Sequence, residues 1–218
     1  MPDRIKRRLL DYFILGVSVY RLRWKHLGNR KTIERFFQII RAILAIHEGC
    51  QEAFGGSVEL DESTFGGRRR GKRGWGAAGK IIVFGILKRN GRVKVFPVPK
   101  RRKRVVFPLI RKHTKPGSLY FTDDWSAYAS LAVRGDHIVV RKEKGRPVGR
   151  DHINGIEGFW SYAKHWLYHY RGVHKRFFHL YLGEISYRFN ERETDLFPKI
   201  FNLLQTTDAD TLGIFSPH

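Results

Sequence analysis

Cysteine and acidic residues are scarce in this chain of 218 residues. The first shortage excludes sites built from several thiols, and the second leaves the chain strongly basic. The one cysteine, Cys50, can build neither a disulfide framework nor a four-thiolate zinc site within one chain. Aspartate and glutamate total 20 against 42 lysines and arginines, which gives a net charge of +22. Such a chain repels itself unless it meets a polyanion. We therefore expect a reducing compartment and a nucleic acid or an anionic membrane as partner.

Long hydrophobic runs are missing as well. The apolar stretch 9–19 contains Asp11 and lacks a small-residue cleavage site, so it predicts neither a signal peptide nor a membrane span. The basic residues are spread along the chain and interleaved with aromatics, which favours nucleic acid over a membrane. Ribosomal and other RNA-binding proteins share this composition, so charge alone fixes no enzyme class.

The N-terminal quarter has the spacing of helices. Hydrophobic residues are 42% of the chain, which is enough for a packed core. We predict helical segments at 9–15, at 19–26 and from about 30 to 47, the last capped by Thr32. A helix, a glycine-containing turn and a helix with a basic start suggest a helix-turn-helix, with a plain helical bundle as the alternative. The predicted boundaries are 1–52 for this DNA-binding region, 53–205 for a catalytic domain and 206–218 for a tail.

The pattern changes to strands after Gly55-Gly56. We predict strands at 57–61, 81–87 and 93–98, the last two joined by an Asn90-Gly91 hairpin turn. Further elements follow as helix 104–113, strand 118–121, helix 125–131, strand 137–140, a long helix from about Asn154 and a last helix at about 175–190. The order β-β-β-α-β-α-β-α-α predicts an α/β fold of the RNase H-like kind, with a five-stranded mixed sheet flanked by helices.

Three acidic residues stand out in this basic chain. Asp61 ends the first predicted strand, Asp123 follows the fourth, and Glu157 lies in the first turn of the long helix. In an RNase H-like sheet the first and fourth strands are neighbours, so the two aspartates would meet and the helix could bring Glu157 to them. Carboxylates of this kind hold divalent metal ions for phosphoryl transfer.

Each acid also has an ordinary structural interpretation. Asp61 and Glu62 could form a solvated strand end. Asp123 or Asp124 could cap the helix that follows. Asn154 and Glu157 could form a capping box.

Several segments together resemble the ISXO-like DDE transposase domain of bacterial insertion sequences. The resemblance covers roughly residues 55–192, with the motifs in the family's order. The matching segments are 58–67, 72–74, 76–80, 121–123 with Tyr128, 152–161 with Lys164, and Glu184 with 187–190.

The resemblance implies a metal-dependent DNA transposase. Asp61, Asp123 and Glu157 would be its catalytic metal ligands, for two Mg²⁺ ions that Mn²⁺ could replace. Water would hydrolyse a phosphodiester at the element end, and the freed 3′-hydroxyl would attack target DNA. The implied partners are double-stranded DNA, at element ends and target, and a second copy of the chain in a homodimer or larger assembly. We expect no membrane partner and a cytoplasmic, nucleoid-associated, prokaryotic-type protein.

A further set of residues is predicted to contact DNA. Lys164 lies two turns after Glu157 on the same helix face. His152 and Asn154 precede Glu157 and could bind a phosphate or only cap the helix. Glycines and arginines between the first two strands would line the DNA path, with the run 100–104 as a second candidate. The aromatic residues Phe159, Trp160 and Trp166 are interpreted as core. The predicted loop contacts are Arg68, Arg69, Arg70, Lys72 and Arg73.

The chain departs from the family pattern at two points. Asp124 stands where relatives often have glycine, which leaves the choice between Asp123 and Asp124 open. The cysteine-rich zinc ribbon of many relatives is missing. Two other functions stay open: an RNase H-like nuclease without strand transfer, such as a junction resolvase, and a catalytically inactive DNA-binding relative.

Overall fold

The computed structural model describes residues 1–66, 79–140, 152–170 and 172–207. Its strands are β1 (Ser57–Phe65), β2 (Ile81–Lys88), β3 (Val93–Val98), β4 (Leu119–Thr122) and β5 (His137–Val139). Its α-helices are α1 (Asp3–Ile14), α2 (Arg30–Gly49), α3 (Lys103–His113), α4 (Asn154–Tyr168), α5 (Phe178–Asn190) and α6 (Leu196–Thr206). Short 3-10 helices cover Val19–Leu22, Ser126–Val133 and Lys175–Phe177.

The strands form one mixed sheet in the order β3-β2-β1-β4-β5. β1 pairs antiparallel with β2 and parallel with β4, while β4 pairs parallel with β5. The first and fourth strands are therefore neighbours, as predicted. The five-stranded sheet with its flanking helices confirms the α/β, RNase H-like fold.

The two faces of the sheet are covered by different helices. On one face Val58 and Leu60 of β1 share a core with Val106 and Ile110 of α3. On the other face α4 crosses β2 at Gly85, where an added Cβ would lie 2.7 Å from Cζ2 of Trp160. The missing side chain thus lets α4 approach the sheet closely, which fixes the residues of α4 against β1 and β2.

The prediction that Asp61 ends the first strand was wrong. β1 continues to Phe65, which pairs with Ile81 of β2, so Asp61 lies in the middle of the strand. The polar run after Asp61 suggested a strand end, but the Glu62 carboxylate has hydrogen-bond partners in the folded chain and is buried. A buried polar group with partners does not interrupt a sheet.

Several helix boundaries also differ from the prediction. The segment predicted at 19–26 is helical only over Val19–Leu22, and His26 within the predicted range has a positive φ of 50°, outside the right-handed helical region. Thr32 does not cap α2. The Asn29 side chain does, accepting a hydrogen bond of 2.8 Å from the Lys31 amide. The segment predicted as a helix at 125–131 is a 3-10 helix, Ser126–Val133.

Two further helical boundaries were missed at the ends of the chain. α1 begins at Asp3, six residues before the predicted start. α6 was not predicted, although it carries Pro198 in its first turn. Proline is tolerated in the first turn of a helix, where its missing amide would have no partner. Asp195 caps this helix by accepting a hydrogen bond of 2.9 Å from the Phe197 amide.

The chain divides into two compact units. The helical unit comprises the described residues of Met1–Cys50 and Leu180–His218, and the sheet unit comprises those of Gln51–His179. The boundaries predicted for functional regions, 1–52, 53–205 and 206–218, remain predictions. Within the described ranges no helix is long and apolar enough to cross a membrane.

The helical unit contains a buried ion-pair network. Glu184 of α5 accepts from Nε of Arg41 at 2.6 Å and from Nε of Arg188 at 2.9 Å. Arg188 also donates to the carbonyl oxygens of Phe13 and Ile14 at the end of α1, at 2.6 and 2.9 Å. The network therefore connects α1, α2 and α5 across the hydrophobic core of this unit.

Candidate active site

Asp61 faces α4 from the middle of β1. It pairs in register with Gly85, the position where α4 approaches the sheet. The indole Nε1 of Trp160 donates a hydrogen bond of 3.0 Å to Oδ2 of Asp61. Burial is the main cause that raises the pKa of Asp61 from 3.8 to about 6, although the Trp160 hydrogen bond acts in the opposite direction. Asp61 is thus a carboxylate with little compensating positive charge.

Two other acids act on Asp61 electrostatically. The negative charges of Asp123 and Glu157 each raise the pKa of Asp61 further, after the larger effect of burial. Glu157 lies in the first turn of α4, three residues before Trp160, so the two share a helix face. The structure therefore brings residues from β1, the end of β4 and α4 into one electrostatic environment.

Asp123 directly follows β4. Because Leu60 of β1 is in register with Thr122, the next residues along the two parallel strands are Asp61 and Asp123. Oδ2 of Asp123 accepts a hydrogen bond of 2.8 Å from Nη2 of Arg101. Oδ1 accepts one of 3.2 Å from the Trp125 amide, so Asp123 also caps the turn that follows, as the structural alternative suggested.

Glu62 lies on the opposite face of β1 from Asp61 and is buried. Its carboxylate accepts hydrogen bonds of 2.7 Å from the Tyr128 hydroxyl and 2.8 Å from Nε of Arg101. Burial nevertheless raises its pKa from 4.5 to about 7. A solvated strand end at Asp61 and Glu62 is therefore excluded, and Arg101 connects Glu62 with Asp123.

The start of α4 is held by β1. Oε2 of Glu59 accepts a hydrogen bond of 2.8 Å from the Ile156 amide, one of the amides that a helix leaves without an internal partner. Arg89 donates to Oε1 of Glu59 at 3.0 Å and also to the carbonyl oxygen of His152. The alternative of a capping box was wrong, because α4 begins at Asn154 and has no side-chain cap at the preceding Ile153.

The donor types at this site suit a hard divalent cation. Carboxylate oxygens are the ligands that Mg²⁺ takes, and one or two protein carboxylates suffice when water and phosphate oxygens complete the shell. Burial, the main cause of the raised pKa of Asp61, and the nearby charges of Asp123 and Glu157 disfavour the ionised carboxylate, which a bound cation would stabilise. Among the described residues, however, no three histidine, cysteine, aspartate or glutamate side chains are arranged to hold a metal ion. The residue types fit the ion, but these residues do not form a completed cage.

A family model, the ISXO2-like transposase domain, matches residues 53–190. This chain belongs to that family. A transposase-like protein of Haemophilus influenzae is 35% identical over 97 residues, which is 44% of this chain and 79% of the relative. No solved structure matches the chain. The resemblance inferred from the motifs is thereby confirmed.

The residues of this transposase predicted to contact DNA have different locations. Lys164 is exposed, with Nζ 5.9 Å from the ring centroid of Phe65, at the end of β1. Asn154 is exposed, whereas His152 is half-buried, with Nδ1 3.9 Å from Oε1 of Glu59. Of the basic run 100–104, Arg101 points to carboxylates. The predicted loop residues Arg68, Arg69, Arg70, Lys72 and Arg73 lie outside the described residues.

Sequence reasoning missed two residues of the site. Trp160 was interpreted as core; it is buried, but it also donates to Asp61. Its position three residues after Glu157 could have indicated this, because that spacing gives a shared helix face. Arg101 was one of several basic residues in a run. Nothing in the sequence distinguishes it, since its partners lie 39 and 22 residues away along the chain.

Proposed function

We propose that this chain is a DNA transposase that uses Asp61, Asp123 and Glu157 as its catalytic residues. The observation that carries the proposal is the electrostatic convergence of these acids, since both Asp123 and Glu157 raise the pKa of Asp61. They come from three separate elements inside the matched transposase domain. Asp123 is preferred over Asp124 because Asp124 is exposed, whereas Asp123 is half-buried and raises the pKa of Asp61.

The proposed reaction has two displacements at phosphorus. Water attacks a phosphodiester at the element end, the bond from phosphorus to the 3′-oxygen breaks, and a free 3′-hydroxyl remains. That hydroxyl then attacks a phosphodiester of target DNA and displaces a 3′-oxygen there. Mg²⁺ held by the three carboxylates would stabilise the attacking and leaving oxygens, and Mn²⁺ could replace it.

The chain's own residues would keep this geometry. Trp160 orients Asp61, and Arg101 orients Asp123. The hydrogen bond between Glu59 and the Ile156 amide sets the start of the helix that carries Glu157. Hydrogen-bonded positioning of this kind lowers the cost of assembling a reactive arrangement.

The proposed partner is double-stranded DNA, at element ends and at the target. Lys164 is exposed near the end of β1, so we propose that it contacts a phosphate close to the reacting group, with Asn154 and His152 at the start of the same helix. The net charge of +22 supports a nucleic-acid partner. A homodimer or larger assembly on paired DNA ends is part of the proposal, as is a nucleoid location.

The test is cleavage of a labelled duplex that carries the DNA flanking the coding sequence, with Mg²⁺ or Mn²⁺. Wild type should nick it and leave a 3′-hydroxyl. Asp123→Asn should reduce the rate by roughly 10²- to 10³-fold, since removing one charge-stabilising group at a reacting centre commonly costs two to three orders of magnitude. Asp124→Asn is the matched control and should change the rate less than about threefold.

Supplying target DNA in the same reaction tests strand transfer. Joined products from wild type and none from Asp123→Asn would support a transposase. Nicking without joined products would point to a nuclease that stops after hydrolysis. Equal loss of activity in both variants would contradict the choice of Asp123. DNA binding and thermal unfolding of each variant show whether it is folded.

A catalytically inactive DNA-binding relative is the second candidate. It is favoured by one observation: among the described residues no trio of potential ligands is arranged for a metal ion. DNA binding without cleavage in either metal, unchanged in Asp123→Asn, would support this candidate.

A further inference from the structure

The turn between α1 and α2 exposes two large aromatic side chains. Tyr20 is 61% exposed and Trp24 is 74% exposed. We call residues 19–27 the aromatic turn. It lies in the helical unit and outside the matched range 53–190, so the family assignment says nothing about it. Single exposed apolar residues are common, but neighbouring exposed aromatic rings form a larger apolar surface of the kind that marks interaction sites.

The aromatic turn is anchored to the core of its unit. Leu22 and Leu27 are each 2% exposed and belong to the hydrophobic core of the helical unit. The amides of Arg21 and Lys25 each donate a hydrogen bond of 2.9 Å, to the carbonyl oxygens of Ser18 and Leu22. The backbone at Trp24 is therefore fixed by a buried leucine on each side, and that at Tyr20 by Leu22 and the partly buried Val19, so the rings are presented at a defined position.

Arg23 lies next to both rings. Its guanidinium carbon is 4.2 Å from the ring centroid of Tyr20 and 5.7 Å from that of Trp24. Nη1 of Arg23 also donates a hydrogen bond of 3.1 Å to the carbonyl oxygen of Tyr20. The three side chains thus form one cluster, in which a fixed positive charge accompanies flat apolar surfaces.

The charge of this segment has one sign. Residues 15–31 contain five lysines and arginines and no aspartate or glutamate. Arg30 is paired with Glu34 at 2.7 Å, which leaves Arg21, Arg23 and Lys25 as the basic residues of the aromatic turn itself. Basic residues that alternate with exposed aromatic rings are the arrangement that single-stranded nucleic acid requires, because bases stack on rings while phosphates bind cations.

We propose that the aromatic turn is a binding site for single-stranded DNA, in which unpaired bases stack on Trp24 and Tyr20. Bases within an intact duplex are stacked on each other, so their faces are not available to these rings. An anionic membrane suits the turn less well, since a surface-bound segment is typically a long amphipathic helix and this one is a 3-10 helix of four residues. The site uses none of Asp61, Asp123 or Glu157 and stands independently of the catalytic proposal.

The test compares the affinities of the full chain for two fluorescent probes. One is a single-stranded oligothymidylate of about 20 nucleotides, and the other is a blunt duplex of similar length. Trp24→Leu should weaken single-strand binding roughly 5- to 20-fold, within the range measured for one base–aromatic stacking contact. Duplex binding should change less than about twofold. Tyr20→Leu should act in the same direction.

Two control variants distinguish base stacking on the ring from a general apolar contact, and the salt dependence distinguishes it from a charge effect. Leu15→Ala removes a non-aromatic side chain that is 73% exposed in the same unit, and it should leave both affinities unchanged. Trp24→Phe retains a ring and should recover most of the single-strand affinity. The salt dependence should be the same in all variants, because no lysine or arginine is removed.

Three results would overturn the proposal: undiminished single-strand affinity in both Trp24→Leu and Tyr20→Leu, an equal loss on both probes, or a loss that Trp24→Phe does not recover. Vesicles that contain phosphatidylglycerol test the membrane alternative. Vesicle binding that Trp24→Leu abolishes, without any change in single-strand affinity, would assign the turn to a lipid surface. This test measures binding without cleavage, so failure of the catalytic proposal is detected separately.

Discussion

In the helical unit Glu184 is held between Arg41 and Arg188, whereas in the sheet unit Arg101 is shared between Glu62 and Asp123. The side chain of Glu184 is fully buried, and both of its oxygens have arginine partners within 3 Å. In the sheet unit, by contrast, the pKa values of Asp61 and Glu62 are raised to about 6 and about 7.

The difference separates two uses of buried charge. A carboxylate that is matched by arginines in the folded chain stabilises that fold only while every partner is present. A buried carboxylate with few positive charges around it would be stabilised in its ionised form by a bound cation. In a chain with a net charge of +22, such a local excess of negative charge is informative about chemistry. Four substitutions test this comparison, from the largest expected effect to the smallest.

Glu184→Gln should break the matched network. It would remove the carboxylate charge that buried Arg41 and Arg188 share, and breaking a buried ion pair typically costs about 3–5 kcal/mol in the free energy of unfolding. Urea denaturation measures the loss. Glu193→Gln is the control, because Glu193 is 88% exposed and its pair with Arg192 should contribute little. A loss below about 1 kcal/mol for Glu184→Gln would show that the network is not needed for stability.

Asp61→Asn should stabilise the metal-free protein at alkaline pH. Since folding raises the pKa of Asp61 from 3.8 to about 6, wild type loses stability as the pH rises from about 4 to 6 and does not regain it above. Asparagine carries no charge, so at pH 8 the variant should be more stable by up to about 3 kcal/mol.

Thermal unfolding across pH measures this effect. The advantage of Asp61→Asn should vanish below about pH 4, where the aspartate is protonated in both states. A variant that is less stable than wild type at pH 8 would show that the carboxylate is satisfied in the folded protein, contrary to the comparison.

Arg101→Met should cost about 1–3 kcal/mol, because it removes an arginine that hydrogen-bonds two carboxylates. A bound cation should restore part of this lost stability, which it should not do for a stability loss in the helical unit. Added Mn²⁺ should raise the melting temperature of Arg101→Met more than that of wild type. Arg188→Met is the control, and Mn²⁺ should not restore it. An equal rise in melting temperature with Mn²⁺ in Arg101→Met and wild type would show that removing Arg101 leaves no unbalanced negative charge at Glu62 and Asp123.

Tyr128→Phe should have the smallest effect, on the order of 1 kcal/mol, through loss of the hydrogen bond to Glu62. Because the pKa of Glu62 is about 7, the hydrogen bond is made to a charged group only above that value. The loss should therefore be larger at pH 8.5 than at pH 5.5 in chemical denaturation. A loss that does not depend on pH would show that Glu62 does not change its charge in this range.

Much of the sheet unit could be predicted because its signals are local. Alternating residues indicated the first strand, apolar runs indicated β2 and β3, the Asn90-Gly91 pair indicated the hairpin, and the order of elements predicted the neighbours of β1. Asp123 after β4 and Glu157 in the first turn of α4 follow from the same local patterns.

The features that were not predicted depend on contacts between residues that are distant in the sequence, which local patterns do not reveal. β1 continues past Asp61 because Tyr128 and Arg101 satisfy Glu62, and both are distant in sequence. Trp160 combines a core position with a hydrogen bond to Asp61, while its sequence pattern indicates only the core. His26, inside the segment predicted as a helix at 19–26, has a positive φ that its residue type does not reveal.

The anchoring of α4 by Glu59 bears on how the chain tolerates changes in length. Glu59 and Arg89 hold the start of α4 through the Ile156 amide and the His152 carbonyl oxygen. Both contacted groups lie C-terminal to residues 141–151. Insertions or deletions in residues 141–151 should therefore leave the angular position of Glu157 unchanged. One extra residue between Ile156 and Trp160, in contrast, would rotate Trp160 by about 100° relative to the anchor and separate it from Asp61. Length variation among relatives should accordingly be found before Ile156 and not after it.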